Sequence, residues 1–473
     1  MRSTSEPGFV LLLLSLLLGC GGCSKPRASG PDVILILIDT LRQDALGCYG
    51  HPDDPTPAID AFAKEGTRFD QAISASGWTL PSAASILTGT WPSIHHARGK
   101  KSRLTPISPD VVMGSELLQR AGYRTLAVTN AAFLSPVLGL DRGFDEFDHR
   151  HAYNREIRRA DQSVLDALAL LDRAGDQPVF LLLHLFDPHL DYDPPEEFAF
   201  RFSEGRTTPP PPLSMKACLD LCGEGDQLDR EAVAYVRALY QAEVAFVDTQ
   251  VGRFLEELKR RGRYEDALIL LTADHGEEFF DHQSFEHGHS LYEELVRVPL
   301  VIKWPGAGRP ARSVVEAALP TLDLMPTIFE AAGLEPPESF AGRSLAPLAR
   351  GEPDAERLVF SEATLYGPER MSLRRGTHKA IATYVRDRLP VIEIFDLERD
   401  PGEQTNLAPT SPELIRSLGG ELRELRQQFR EAGAANRVGS ARDLDPRHYA
   451  ELLKSLDSLG YTRGSEEDDE RKR

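Results

Sequence analysis

The chain has 473 residues, enough for one large α/β domain and a smaller one, and its apolar and charged contents are ordinary for a globular protein. Its formal net charge of -19 argues against non-specific nucleic-acid binding, which needs a basic surface. This charge is still compatible with an anionic substrate, because a bound metal can reverse the local sign of a site.

The N-terminal segment predicts export. Residues 9–18 form an apolar run that is too short to span a bilayer as a mature helix and that follows Arg2. Leu17-Leu18-Gly19-Cys20 resembles the bacterial lipobox, so residues 1–23 would be the signal, Cys20 would be lipidated and residues 24–30 would form a tether. We therefore expect a lipoprotein of the cell envelope that faces the periplasm or the cell surface. An ordinary cleaved signal or a membrane anchor is the alternative.

Continuous apolar runs rich in β-branched residues predict strands that are buried on both faces of a sheet. These runs lie at residues 33–38, 125–128, 179–184, 267–272 and 300–302. Helical patterns occur between them, at residues 58–65, 111–121, 155–173 and 230–261. Because strands alternate with helices, the predicted fold class is α/β, with a mostly parallel central sheet sandwiched by helices.

The pattern changes near residue 346. Four short strand patterns and one helix follow, at residues 358–361, 371–374, 379–384, 391–395 and 412–431. They predict a smaller C-terminal antiparallel sheet with one helix. The predicted domains are a catalytic domain (31–345) with an insertion near 194–228, a C-terminal subdomain (346–435) and a charged tail (436–473). Within the insertion, Cys218 and Cys222 could pair in an oxidising compartment, unless they lie on one helix, where the geometry is poor for a disulfide.

Polar residues follow four of the predicted strands. They are Asp39 after the first strand, Asn130 after the second, Asp187 and His189 after the third, and Asp274 and His275 after the fourth. The carboxyl ends of parallel strands line the ligand crevice of an α/β sheet. Any one of these residues could be a cap or a turn residue, but together they predict a functional site at one edge of the sheet.

Two further segments contain candidate residues. Pro81 suits the first turn of a helix, so Thr79 would lie at a helix N-terminus, where free N–H groups favour an alkoxide or an oxyanion. A simple helix cap is the alternative role for Thr79. Residues 274–277 and 286–289 add a carboxylate–imidazole pair and two more histidines, which is a ligand set typical of Zn²⁺ or Mn²⁺.

In combination these motifs resemble the sulfatases of the alkaline phosphatase superfamily, over residues 32–407. The matching pieces are Asp39 after the first strand, Gly47-Cys48-Tyr49-Gly50, residues 79–89, Asp274-His275-Gly276-Glu277, residues 292–300 and residues 395–407. The resemblance implies the superfamily's α/β fold and metal-dependent hydrolysis of sulfate or phosphate esters.

Several positions depart from the sulfatase pattern. Thr79 replaces the Cys or Ser that sulfatases oxidise to formylglycine, and Thr40 replaces a second metal-binding Asp. Ala83, Asn130 and Ala132 replace the Arg, Lys and His that hold sulfate. The local residues are more similar to superfamily members with a Thr nucleophile, such as phosphoethanolamine transferases, lipoteichoic acid synthases and nucleotide phosphodiesterases.

The resemblance also implies a role for each candidate. The implied metal ligands are Asp39, Thr79, Asp274, His275 and Asp187; the implied catalytic residues are Thr79, His189 and His287; the implied substrate-binding residues are Asn130, His184 and His289. Thr79 would be a metal-activated nucleophile, with one or two divalent metals, Zn or Mn rather than Ca or Mg. The expected partners are an anionic ester substrate and, through the lipid, a membrane. The alternatives are a phosphoethanolamine-transferase-like enzyme and a non-catalytic binding lipoprotein.

Overall fold

The computed structural model describes residues 30–458, except residues 54, 101–102, 151–157, 203–213, 223–227, 307–310 and 440–445. The predicted lipidation site, Cys20, and the predicted signal segment lie outside the described residues. Among the helices of the described part, none is both long enough and apolar enough to cross a bilayer.

A mixed eight-stranded sheet forms the centre of the molecule. The strands of the protein are, in chain order, β1 (Val33–Ile38), β2 (Thr67–Ile73), β3 (Arg98–Lys100), β4 (Arg103–Thr105), β5 (Arg124–Val128), β6 (Glu146–Asp148), β7 (Val179–Leu185), β8 (Leu268–Ala273), β9 (Glu278–Phe279), β10 (Phe285–Glu286), β11 (Arg297–Lys303), β12 (Val314–Pro320), β13 (Val359–Glu362), β14 (Glu369–Arg375), β15 (His378–Tyr384) and β16 (Val391–Asp396). The central sheet has the order β12-β2-β11-β8-β1-β7-β5-β6. Adjacent strands in it are parallel, except where β11 pairs with β2 and β8.

Helices cover both faces of this sheet, since β1, β7 and β8 are buried at every residue. The helices are α1 (Pro57–Glu65), α2 (Thr79–Thr88), α3 (Pro92–His95), α4 (Gly114–Arg120), α5 (Ala160–Ala174), α6 (Glu196–Phe202), α7 (Met215–Cys222), α8 (Arg230–Arg260), α9 (Glu293–Val296), α10 (Leu324–Ala331), α11 (Ala346–Ala349), α12 (Pro412–Ala434) and α13 (Pro446–Ser458). The predicted α/β fold class is therefore confirmed. Cys218 and Cys222 lie one turn apart on α7, and no disulfide joins them.

The register of the three central strands determines where the polar residues lie. Leu37 of β1 pairs with His184 of β7, and Ile38 pairs with Ala273 of β8. Because these strands are parallel, the residues that follow each of them emerge at the same edge of the sheet.

Three strands of the central sheet were not predicted from the sequence, among them the edge strand β6, which is buried only in part. β2 carries several polar residues and is buried only in part, and β12 is an edge strand with exposed positions. A continuous apolar run marks a strand that is buried on both faces, so this signal is missing at the partly exposed side of the sheet.

The C-terminal strands form an antiparallel sheet in the order β13-β14-β15-β16, and α12 packs on it, as predicted. Phe360, Leu373 and Leu422 of this unit pack in one cluster with Ala75 and Trp91 of the larger part. The two parts therefore share a continuous apolar contact.

Helix α13 lies within the segment that was predicted to be a charged tail. Its Leu452 and Leu456 are fully buried and belong to the main core of the protein. The tail contains many charged residues, but these two leucines, one helical turn apart, form an apolar stripe that docks against the residues near Ala132–Leu134.

Replacing Leu456 with alanine should lower the free energy of unfolding by roughly 2 to 5 kcal/mol, because a large buried side chain is lost and a cavity remains. Chemical denaturation measures this change. Lys454→Ala, on the exposed side of the same helix, is the matched control and should have little effect. Equal stability of the two variants would show that α13 does not contribute to the core.

Candidate active site

Three side chains converge at the carboxyl edge of the central sheet. Asp39 directly follows β1, while Asp274 and His275 directly follow β8. The Nε2 atom of His275 lies 3.4 Å from Asp39 Oδ1 and 3.5 Å from Asp274 Oδ2. All three side chains are fully buried, and their donor atoms lie within 4.8 Å of one another.

Thr79 joins this group from the N-terminus of α2. Its Oγ1 lies 3.2 Å from His275 Nε2. The Nδ1 atom of His275 lies 2.8 Å from the carbonyl oxygen of Gly276, which fits a donated hydrogen bond that leaves the lone pair on Nε2. The side chain of Thr79 is 1% exposed, so the Oγ1–Nε2 contact is shielded from water.

Backbone contacts from distant segments hold the loop that precedes Thr79. Trp78 Nε1 donates a hydrogen bond of 2.7 Å to the carbonyl of Ala363, and the N–H of Gly288 donates one of 2.9 Å to the carbonyl of Gly77. Gly288 has a φ of +79°, and a Cβ atom there would lie 3.1 Å from the Cβ of Leu365, so glycine suits this close approach. The Leu365 N–H in turn donates to the Gly288 carbonyl.

The carboxylate oxygens of the site are only partly hydrogen-bonded: Asp274 Oδ1 accepts a bond of 2.9 Å from the N–H of His275. Both oxygens of Asp39 and the Oδ2 of Asp274 are buried with no hydrogen-bond partner among the described residues. Burial and the charge of Asp39 raise the pKa of Asp274 well above its usual range. Burial opposes ionisation of Asp39 too, but His184, His189 and His275 together hold its pKa below the usual range. Buried charge without a partner is costly, so this arrangement calls for a positive partner.

A divalent cation fits this donor set. The distances of 3.2 to 3.5 Å from His275 Nε2 to Thr79 Oγ1, Asp39 and Asp274 are about those between neighbouring ligands that lie roughly 2.0–2.2 Å from a tetrahedral zinc ion. Four of the five residues that the sequence assigned to a metal are thus brought together. The fifth, Asp187, is not in this group.

Asp187 caps a helix instead. Its Oδ2 accepts a hydrogen bond of 2.8 Å from the N–H of Ala160, the first residue of α5. Burial raises its pKa to about 6. His289, a predicted substrate-binding residue, is also engaged elsewhere, because its Nε2 lies 2.7 Å from Glu278 Oε2 in a partly exposed pair.

His184 lies next to the other carboxylate oxygen of Asp39. Its Nε2 is 3.4 Å from Asp39 Oδ2, and neither ring nitrogen has a hydrogen-bond partner within the described part of the chain. The structure thus places this predicted substrate-binding residue beside the Asp39 carboxylate. Each oxygen of Asp39 therefore has an imidazole nitrogen at 3.4 Å: His275 Nε2 at Oδ1 and His184 Nε2 at Oδ2.

Asn130, the third predicted substrate-binding residue, is held by the protein itself. Its Nδ2 donates to Ser163 Oγ at 2.8 Å and to the His184 carbonyl at 2.7 Å, and its Oδ1 accepts from Arg158 Nε at 2.9 Å. Both amide hydrogens are therefore used, one on α5 and one on strand β7. Arg158 is a buried cation that the sequence analysis missed, and it pairs with Asp166 at 2.7 Å.

His189 and His287, the two predicted catalytic histidines, flank the group. The ring centroid of His287 lies 4.4 Å from that of His275 and 5.1 Å from that of His189. Burial lowers the pKa of His189 to about 4 and lowers that of His287 well below its usual range. Burial therefore opposes the charged form of both imidazoles.

Glu277 is a second residue whose role the sequence analysis missed, although it appears in the motif at 274–277. Its Oε1 lies 2.9 Å from His287 Nδ1, and burial raises its pKa to about 7. The short hairpin between β9 and β10, whose strands have two residues each, brings this pair together.

The family model described as "Sulfatase" matches residues 31–334 of this chain. A second one, "N-sulphoglucosamine sulphohydrolase, C-terminal", matches residues 279–428. Among curated relatives, an ulvan-active sulfatase of Formosa agariphila is 25% identical and is aligned over 91% of this chain and 89% of its own length.

Solved structures share the fold. A protein captured in complex with its substrate, D-glucosamine-2-N,6-O-disulfate, superposes with a TM-score of 0.72 at 22% identity, covering 85% of this chain and 98% of its own. The phosphonate monoester hydrolase of Agrobacterium radiobacter superposes with a TM-score of 0.68 at 23% identity, covering 84% and 96%. The matching fold thus occurs around both sulfate and phosphonate ester chemistry.

Proposed function

This chain belongs to the sulfatase family of ester hydrolases, and on that premise we propose that it is a metal-dependent hydrolase in which Thr79 is the nucleophile. The observation that carries the proposal is the position of Thr79 Oγ1, 3.2 Å from His275 Nε2, an atom that also lies 3.4 Å from Asp39 and 3.5 Å from Asp274. Three oxygens of these two buried carboxylates have no hydrogen-bond partner among the described residues. A threonine that only capped the helix would not need an imidazole and buried carboxylates near its hydroxyl group.

The residues of the site have complementary tasks. Asp39, Asp274 and His275 would hold a divalent cation, which supplies Lewis-acid stabilisation of negative charge when bound. Thr79 is held by the fixed loop at its N-terminal side, so its Oγ1 is positioned for in-line attack on phosphorus or sulfur. The free N–H groups at the start of α2 favour the charge that develops on the transferred group. His287 or His189 donates the proton that the leaving oxygen needs.

We propose zinc or manganese as the cation. An imidazole nitrogen suits Zn²⁺ and Mn²⁺ better than Ca²⁺ or Mg²⁺, which prefer all-oxygen ligand sets. His275 supplies that nitrogen at the centre of the group, at 3.2 to 3.5 Å from Thr79, Asp39 and Asp274.

We also propose that the substrates are phosphate or phosphonate esters in preference to sulfate esters. Ala83, Asn130 and Ala132 stand where sulfatases carry cationic or imidazole groups that bind sulfate, and the Asn130 amide is committed to the protein. The loss of one such donor costs about 3 kcal/mol in the transition state.

Parallel assays of a phosphate monoester, a phosphodiester, a phosphonate monoester and an aryl sulfate, with Mn²⁺ or Zn²⁺, test this preference. We expect kcat/KM for the best phosphorus ester to exceed that for the aryl sulfate by on the order of 10²-fold, which corresponds to about 3 kcal/mol. The same leaving group in every substrate makes the comparison direct. Faster hydrolysis of the aryl sulfate would contradict the preference while leaving the nucleophile open to a separate test.

We propose in addition that Cys20 is lipidated and tethers the protein to a membrane outside the cytoplasm. The lipobox-like residues 17–20 support this proposal. Cys20→Ala should abolish lipid labelling and membrane association, whereas Cys23→Ala should retain both. Membrane fractionation with radiolabelled palmitate distinguishes these outcomes, and a Cys20→Ala variant that is still labelled would contradict the proposal.

A further inference from the structure

One buried carboxylate next to the site has no role in the steps above. Glu277 is fully buried, and so are the two side chains that it contacts. Its Oε1 lies 2.9 Å from Nδ1 of His287, and its Oε2 accepts a hydrogen bond of 3.2 Å from the hydroxyl of Tyr192. We propose that Glu277 is a positioning residue that fixes the orientation and the proton of His287, an inference that rests on the proposed hydrolase function.

The backbone brings the two residues together. Glu278 of β9 pairs with Glu286 of β10, so the residues just outside this short ladder, Glu277 and His287, face one another. The next residue, Gly288, bonds to the carbonyl of Gly77 at 2.9 Å, two positions before Thr79. His287 is therefore held from both sides, by the hairpin and by the loop that carries the nucleophile.

The hydrogen bond at Nδ1 of His287 determines the role that the other ring nitrogen, Nε2, can have. When the Glu277 carboxylate accepts the Nδ1–H, the second proton of the imidazolium is at Nε2. As the bond from phosphorus or sulfur to the leaving oxygen breaks, its electron pair stays on that oxygen, which takes the Nε2 proton. The imidazole is then neutral, with its Nδ1–H still bonded to Glu277. Without the carboxylate, this constraint on the orientation and the tautomer of the ring is lost.

The adjacent pair provides a matched comparison. Glu278 and His289 form the same kind of contact at 2.7 Å, one residue along from Glu277 and two from His287. That pair uses Nε2 instead of Nδ1, and the side chain of His289 is 18% exposed. Removal of the Glu278 charge therefore controls for a general loss of buried charge in this hairpin.

The test is a double-mutant cycle read with two kinds of ester. Glu277→Gln should lower kcat/KM by on the order of 10²-fold for an alkyl phosphodiester, whose leaving group needs a proton, because general acid catalysis typically contributes 10²–10⁴-fold. For a nitrophenyl ester, which needs none, the loss should be under about tenfold. In a His287→Asn background, Glu277→Gln should have no further effect, because its action passes through His287. Glu278→Gln should match the wild type on both esters, and metal content should be unchanged throughout.

Equal losses on both esters, or an additive loss in the His287→Asn background, would overturn the proposal. Tyr192→Phe, which removes one hydrogen bond to Glu277, should show a smaller loss with the same leaving-group dependence, and it replaces Glu277→Gln if that variant does not fold. A wild-type protein inactive on every ester would refute the hydrolase function instead. In that case the NMR signal of the His287 Nδ1–H tests the positioning role. The signal should shift in Glu277→Gln and stay unchanged in Glu278→Gln. The absence of a shift in Glu277→Gln would refute the positioning role.

Discussion

Thr79→Ala is expected to lower kcat by on the order of 10⁴- to 10⁶-fold, the range seen when a hydrolase loses its nucleophile. The variant loses the single oxygen that lies 3.2 Å from His275 Nε2, and no other hydroxyl contact with that nitrogen occurs in the described part of the chain. The fold should persist, because alanine is a good helix former and Thr79 occupies the first residue of α2. Steady-state kinetics and thermal unfolding measure the two effects separately.

Thr88→Ala is the matched control for this variant. Thr88 ends the same helix, is equally buried and bonds only to the carbonyl of Ala84. Its loss should reduce stability slightly and leave kcat unchanged. Thr79→Ser should keep part of the activity, since the hydroxyl remains. If Thr79→Ala retains full activity, the proposed nucleophile is wrong, whatever the substrate.

Asp274→Asn should abolish the stabilisation of the protein by Zn²⁺ or Mn²⁺. A ligand at about 1,000 times its Kd stabilises the native state by roughly 4 kcal/mol, and the amide removes one charge from the proposed donor set. When the metal is chelated, the difference in stability between the two proteins should reverse. Asp274→Asn should then be more stable than the wild type, because two buried carboxylates no longer share one site. Thermal unfolding with and without chelator, together with metal analysis, measures both effects.

Asp187→Asn is the control variant for Asp274→Asn. The sequence assigned Asp187 to the metal, whereas the structure places its carboxylate on the N–H of Ala160. We expect this variant to bind metal normally and to lose only a modest amount of stability. Loss of metal binding in Asp187→Asn together with retention in Asp274→Asn would contradict the assignment of the donor group.

The central part of the fold was predictable because its signals are local. The β1 run at residues 33–38 is apolar throughout and agrees with the structure at both ends. The same logic placed Asp39, Asp274 and His275 together, since parallel strands deliver their following residues to one edge. The partly exposed β2 and the docked helix α13 lack such signals, so their packing depends on the three-dimensional neighbours.

The partners of the polar residues were less predictable than their positions. Asp187 follows β7 as expected, but its carboxylate could bind either a metal or the N-terminus of α5. The sequence does not show which of the two it binds, and the structure shows the bond to α5. Asn130 similarly lies near the site while its amide holds β7. Glu277 was visible in a motif, yet its contact with His287 exists only because a hairpin folds one onto the other.

The hydrogen bond from Trp78 to the carbonyl of Ala363 joins residues 285 positions apart. A ribosome releases the nucleophile loop long before it synthesises Ala363 or Leu365, whose backbone groups brace Trp78 and Gly288. The nascent chain therefore carries Asp39 and Thr79 for much of its synthesis without the braces that hold this loop in place. These braces exist only after the C-terminal sheet has packed against the larger part, so the loop before Thr79 is fixed in place late in folding.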